Sequence, residues 1–95
     1  MRTYELMTIH RPALEESDVR DRVTDVEKYL ENAGGKVTST DIWGKRRFAY
    51  EIDHLSEGYY TVVTFEAETE AVDGLDRMLS LSDEVLRHKV VRPGA

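Results

Sequence analysis

Residues 59–67 read Tyr-Tyr-Thr-Val-Val-Thr-Phe-Glu-Ala. This run of β-branched and aromatic side chains is the clearest strand in the chain. Successive strand residues point to opposite faces. Val63 and Phe65 therefore share one face, and Tyr60 and Val62 share the other. Just upstream, Lys36 to Ile52 carries Val37, Ile42, Trp43, Phe48, Tyr50 and Ile52 and reads as a second, longer strand. Gly44 interrupts it, and a bulge or bend is expected there. The polar stretch Asp53 to Gly58 forms the turn, so the two strands make a hairpin.

Residues 2–10 alternate in part, with Tyr4 and Leu6 on one parity and Met7 and Ile9 on the other. A strand is expected, ending before Pro12. Ser17 or Asp18 can cap a helix. Val19, Val23, Val26, Leu30 and Ala33 then form one apolar helical stripe, which Gly34-Gly35 closes. After the hairpin, Val72, Leu75 and Leu79 recur at helical spacing within residues 69–81, with acids crowding the helix start. Gly74 costs that helix about 1 kcal/mol relative to alanine. The last strand spans Val85 to Arg92 and is stopped by Pro93-Gly94.

The order is βαββαβ, an α+β fold of the split-βαβ, ferredoxin-like kind: a four-stranded antiparallel sheet with two helices on one face. All 95 residues are read as a single domain, 1–95. Two helices cover one sheet face. Met7, Ile9, Tyr60 and Val62 lie on the parity opposite to Leu6, Val63 and Phe65. A partner covering part of the second face is one reading; scattered surface apolar residues are the other.

The chain has no cysteine, so disulfides, thiolate ligands and thiol catalysis are excluded. The start, Met1-Arg2-Thr3-Tyr4-Glu5, lacks the apolar run of a signal peptide, and no stretch approaches the roughly 20 apolar residues of a membrane helix. A cytoplasmic protein is expected. The formal net charge is −6, which by itself argues against nucleic acid. Its distribution argues the other way. Residues 15–33 hold seven acids and three bases, and residues 66–84 hold seven acids and one base. Residues 36–47 hold four bases and one acid, and residues 85–95 hold three bases and no acid. Segregated charge of this kind matters more than the sum.

No catalytic constellation is present. Gly34-Gly35 fits no phosphate-loop spacing. His10, His54 and His88 lack metal-ligand spacing, a His10–His88 pair on neighbouring strands being the one conceivable site. The serines lie in no nucleophile elbow, and most carboxylates belong to the outer helix faces. No enzyme, cofactor or metal is expected.

The strongest functional signal is Trp43-Gly44-Lys45-Arg46-Arg47-Phe48-Ala49-Tyr50. Three consecutive cations follow a glycine kink between aromatic residues. Cations neutralise phosphates, and guanidinium planes and rings stack on unpaired bases. The kink is expected to turn the cations toward one RNA surface. Arg87, Lys89 and Arg92 form a second basic set, with His88 as a further donor and Arg2 close by. The competing reading is a solvated edge strand guarded from aggregation by its charge. Trp43 and Phe48 read as core or hairpin packing rather than as base platforms.

At these residues the chain resembles the bacterial small-subunit ribosomal protein S-six family. The resemblance rests chiefly on Trp43-Gly44-x-Arg46-Arg47-x-Ala49-Tyr50-x-Ile52. Met1-Arg2-x-Tyr4-Glu5, Pro12, Gly34, Gly58-Tyr59, Asp83-x-Val85-x-Arg87 and Val90-Val91-Arg92 add to it. It covers nearly the whole chain. It implies a structural constituent of the small ribosomal subunit. Such a protein binds the central domain of small-subunit ribosomal RNA, at the platform, together with ribosomal protein S-eighteen. A strongly basic partner would explain how an acidic chain works on RNA. Carried over by position, Arg2, Lys45, Arg46, Arg47, Arg87 and Arg92 become the RNA contacts, Lys45 being the position where the family varies. Glu51 departs from the proline frequent in the family, and Thr8 from an aliphatic core residue. The alternative is a ferredoxin-like small-molecule-binding regulatory module or a small dimeric α/β enzyme.

Overall fold

The computed structural model describes residues 1–93. The hairpin organises it. β2 (Lys36–Ile52) and β3 (Leu55–Ala67) pair antiparallel from Lys36 opposite Glu66 to Ile52 opposite Leu55. The expected six-residue turn contracts to Asp53-His54, whose φ values of 50° and 65° are both positive. Two such residues are what a tight hairpin turn of type I′ requires, and this lets β3 begin at Leu55 instead of Tyr59.

β1 (Arg2–His10) lies along β3, and β4 (Val85–Val91) lies along β1, giving one antiparallel sheet in the order β2-β3-β1-β4. β4 ends one residue before Arg92. Of the expected stop signal Pro93-Gly94, Gly94 lies outside the described residues. The first helix, α1 (Glu16–Asn32), starts earlier than expected. Glu15 is its cap residue, and Asp18 instead accepts a hydrogen bond from the Glu15 backbone N–H at 3.1 Å. Asp18 thus ties back to the cap from inside the first turn. The second helix, α2 (Thr69–Ser80), matches the expected apolar spacing.

Both helices pack on the face that carries Tyr4, Leu6, Val63, Phe65 and Ala67. Val23, Val26 and Leu30 of α1 meet Ala71, Leu75 and Leu79 of α2 over that face. Phe65, Leu30 and Leu75 are fully buried. The parity read from β3 therefore holds: Val63 and Phe65 are buried, whereas Tyr60 and Val62 are only half-buried on the face without helices. No helix among the described residues is long and apolar enough to cross a membrane.

Gly74 has a packing reason. The Tyr29 hydroxyl of α1 donates to the Ala71 carbonyl of α2 at 3.1 Å, and a Cβ on Gly74 would collide with that hydroxyl. Helix propensity alone favours Gly74→Ala by about 1 kcal/mol. Overpacking costs about 1–3 kcal/mol, so after the propensity gain Gly74→Ala is expected to destabilise the protein by up to about 2 kcal/mol. In a Tyr29→Ala background the sign should reverse. Denaturant unfolding of the single and double variants checks this, and a stabilising Gly74→Ala in the otherwise unchanged chain would show that Tyr29 is free to move.

Candidate nucleic-acid interface

The site is built on the bulge at Gly44. The β2–β3 register shifts between Ile42 and Gly44, and Gly44, at φ 86°, sits opposite Tyr60. Only glycine takes that conformation without strain. The bulge brings Trp43 onto the helix-free face, where its ring stacks on Tyr60 at 5.8 Å between centroids and 11° between planes. Phe48 meets Tyr60 edge-on at 6.0 Å. The Trp43 indole N–H donates to Asp41 Oδ2 at 3.1 Å, which fixes the ring's direction. Both residues are hairpin packing, as the sequence reading had it, although Trp43 remains 41% exposed.

The three cations after the bulge do not point one way. Lys45 lies opposite Tyr59, a buried residue of the helix side, and its Nζ stands 5.2 Å from that ring's centroid. Arg46, opposite Gly58, lines a shallow cavity of about 810 Å³ with Asp41, Ile42, Trp43 and Tyr60. Arg47, opposite Glu57, returns to the parity of Lys45. A strand's two-residue period has reasserted itself beyond the bulge. The expectation of one surface bearing all three cations is therefore corrected: Arg46 alone shares a cavity with Trp43 and Tyr60.

The second basic set is divided as well. Arg87 and Lys89 border a groove of about 460 Å³ with Met7, Ile9, Tyr50, Ile52 and Tyr60. Register links the two edges, because Gly44, Tyr60, Ile9 and Arg87 lie in one row across the four strands. Three strand spacings, about 14 Å, separate the ends of that row. Arg46 and Arg87 thus flank one apolar and aromatic band with Tyr60 between them. Arg2 and Arg92 lie elsewhere. Arg2 begins β1 opposite Ala67, and Arg92 follows β4 next to the Glu5–Val91 pair. They share the other end of the sheet, Arg92 about 16 Å and Arg2 about 23 Å along the strands from the Ile9–Arg87 pair.

His88 is tied to α2 through one ring nitrogen. Its Nε2 is 2.7 Å from Asp76 Oδ1 of α2. His10, read from sequence as a satisfied or exposed imidazole in preference to a metal ligand, is buried on the helix side with Nε2 3.2 Å from Thr61 Oγ1. Burial, aided by the nearby Arg22 charge, lowers its pKa from 6.5 to about 4. The two imidazoles are committed to different partners, and no cluster of three potential metal ligands occurs among the described residues. The signal for His10 was available, since it shares the parity of Tyr4 and Leu6.

The acids complete the arrangement. Glu16, Asp21, Asp25 and Glu31 of α1 and Glu70, Asp73 and Asp76 of α2 are exposed. They belong to the layer packed behind the sheet, away from the Tyr60 band.

Comparison with known proteins agrees with this fold. The family model described as Ribosomal protein S6 matches residues 3–92. A protein of Clostridium botulinum called small ribosomal subunit protein bS6 is 45% identical over 91 residues, covering 96% of this chain and 97% of its own. The protein of the same name from Carboxydothermus hydrogenoformans is 47% identical over 92 residues, covering 97% and 96%. The crystal structure of 30S ribosomal protein S6 from Thermotoga maritima superposes with a TM-score of 0.90 at 33% identity, covering 96% of this chain and 86% of that one.

Proposed function

This chain belongs to the ribosomal protein S6 family, and on that premise we propose that it binds the central domain of small-subunit ribosomal RNA as a pair with ribosomal protein S-eighteen. The family is one of structural ribosomal proteins, so the chain is a constituent of the small subunit in the cytoplasmic ribosome and performs no turnover. The observation that carries the reading is the sheet face without helices. Met7, Ile9, Ile52, Tyr60 and the exposed Tyr50 form an apolar and aromatic band between Arg46 at one edge and Arg87 and Lys89 at the other.

Such a band suits a protein partner, since contiguous apolar surface rimmed by polar groups marks an interface. The flanking guanidinium groups suit phosphates at its rims. The acids of the two helices face away, so repulsion from RNA is kept at a distance. A basic partner supplies the remaining positive charge, which removes the objection raised by a net charge of −6. Arg2, Lys45, Arg46, Arg47, Arg87 and Arg92 are the proposed RNA contacts, with Arg46 and Arg87 nearest the partner's rim.

Binding to a fragment of the central-domain RNA, with and without purified S-eighteen, tests this at two salt concentrations. The expected result is tight binding by the pair and weak binding by the chain alone. Affinity should fall by about 0.7–0.9 logarithmic units per phosphate contact for each tenfold rise in salt. A folded chain that leaves the partner's RNA affinity and salt slope unchanged would defeat the proposal.

A further inference from the structure

On the helix side of the sheet, His10, Arg22, Val26, Met78, Leu79 and Val85 line a half-enclosed cavity of about 220 Å³, with Asp25, Ser82 and Glu84 also in its lining. It belongs to neither basic set and lies on the opposite side of the sheet from the Tyr60 band. At its floor His10 is 2% exposed, and its Nδ1 has no hydrogen-bond partner.

The tautomer follows from Thr61. That side chain is 2% exposed, and its one hydrogen bond among the described residues is the contact with His10 Nε2. A hydroxyl carries one hydrogen, and leaving it unused in the interior is costly. The arrangement that uses it has Thr61 O–H donating to Nε2. The neutral ring then carries its own hydrogen on Nδ1, an assignment made from the hydrogen-bond network. Arg22 Nε is also buried without a hydrogen bond, because Asp25 Oδ2, at 3.0 Å, lies off the N–H direction. His10 Nδ1 is therefore a buried donor in the cavity lining with no partner at all, whereas Arg22 Nε has Asp25 Oδ2 beside it; no other buried side-chain nitrogen or oxygen is left unpaired among the described residues.

We propose that this cavity binds a compact neutral molecule carrying one acceptor oxygen, of the lactam or small-ketone class. The oxygen would meet the His10 Nδ1–H. The carbon body would lie against Val26, Met78, Leu79 and Val85. The charge balance of the lining selects a neutral ligand. Arg22 is already engaged by two carboxylates, Glu84 at 3.4 Å and Asp25. An anion meets a net negative rim, and an ammonium group finds no acceptor at the floor. Water fills such a space poorly. The Val26, Met78, Leu79 and Val85 side chains offer water no hydrogen bond, and displacing loosely held water from such a surface by an apolar group is favourable. The volume is below the roughly 300 Å³ at which drug-sized pockets begin, which limits the ligand to a small ring.

The test is a nuclear magnetic resonance titration of the full chain with γ-butyrolactam, following the His10 imidazole nitrogens and the Met78 methyl group. The free protein should show hydrogen on Nδ1. Lactam should shift both signals saturably, with a dissociation constant on the order of millimolar. Butyrate, an anion of similar size, should bind at least about tenfold more weakly. Val85→Phe, which fills the cavity, should abolish the shift. Hydrogen on Nε2, no saturable shift, or equal binding of butyrate would each overturn the proposal, as would unchanged binding by Val85→Phe. Should that variant not fold, the presence or absence of lactam-to-His10 nuclear Overhauser effects in the unaltered chain decides the matter.

Discussion

Lowering the pH from about 7 to about 4 is expected to remove on the order of 3 kcal/mol of folding stability through His10 alone. In the unfolded chain the imidazole titrates near 6.5; in the folded protein burial, and then the Arg22 charge, hold it down to about 4. Between those values the unfolded chain binds more protons than the folded one, so falling pH favours unfolding. The contribution is fully present above pH 6.5 and is lost as the pH falls through about 4. For a small domain whose whole stability is about 5–15 kcal/mol, this is a large share. His10→Leu removes the titrating ring from a site whose neighbours Val26, Leu79 and Val85 are apolar. It strands the Thr61 hydroxyl, a cost that does not depend on pH. Denaturation midpoints measured from pH 7 to 4 should fall more steeply for the unaltered chain than for the variant. Parallel curves would mean that His10 charges without penalty in the folded state.

The same residue marks where sequence reading ran out. Alternation in residues 59–67 was enough to put Val63 and Phe65 inside and Tyr60 and Val62 outside, and the fold follows from that parity and the two apolar helix stripes. Parity also put His10 on the inner side, but a single histidine at a strand end carries no sign of how deeply a pair of helices will cover it. Gly74 shows a related limit. Its cost to the helix is a local property and was legible, whereas its cause is Tyr29, forty-five positions earlier in the chain. The cations show the third limit. Lys45-Arg46-Arg47 read as one block because adjacent charges look alike in a string. A bulge at Gly44 changes the count of residues per strand position, and only the pairing with Tyr60, Tyr59 and Gly58 says where the alternation resumes. Tyr60 itself was visible as a residue of the second face. Its place between Arg46 and Arg87 depended on strand order, and β2 and β4 are the two edges of the sheet.

That placement separates the six candidate RNA contacts into groups with different expected effects. Reversing charge at Arg46 and Arg87 together is expected to weaken assembly of the chain and S-eighteen on central-domain RNA by at least tenfold at low salt, and to flatten the logarithmic salt slope by about two units. Both side chains are exposed, so the melting temperature should be nearly unchanged. Reversing Arg2 and Arg92 alters the charge equally, at the other end of the sheet and away from the Tyr60 band. Its effect is expected to be smaller, because those positions border neither cavity of the helix-free face. Lys45, held over the Tyr59 ring, should matter least among the motif cations. Paired titrations of the two double variants against one RNA fragment, at matched salt, distinguish location from charge. If both lose affinity equally, phosphate attraction is long-range and the geometry of the face is irrelevant. If Arg46→Glu with Arg87→Glu leaves assembly intact, the RNA does not reach the rims of this sheet face, and the band between them serves the protein partner alone.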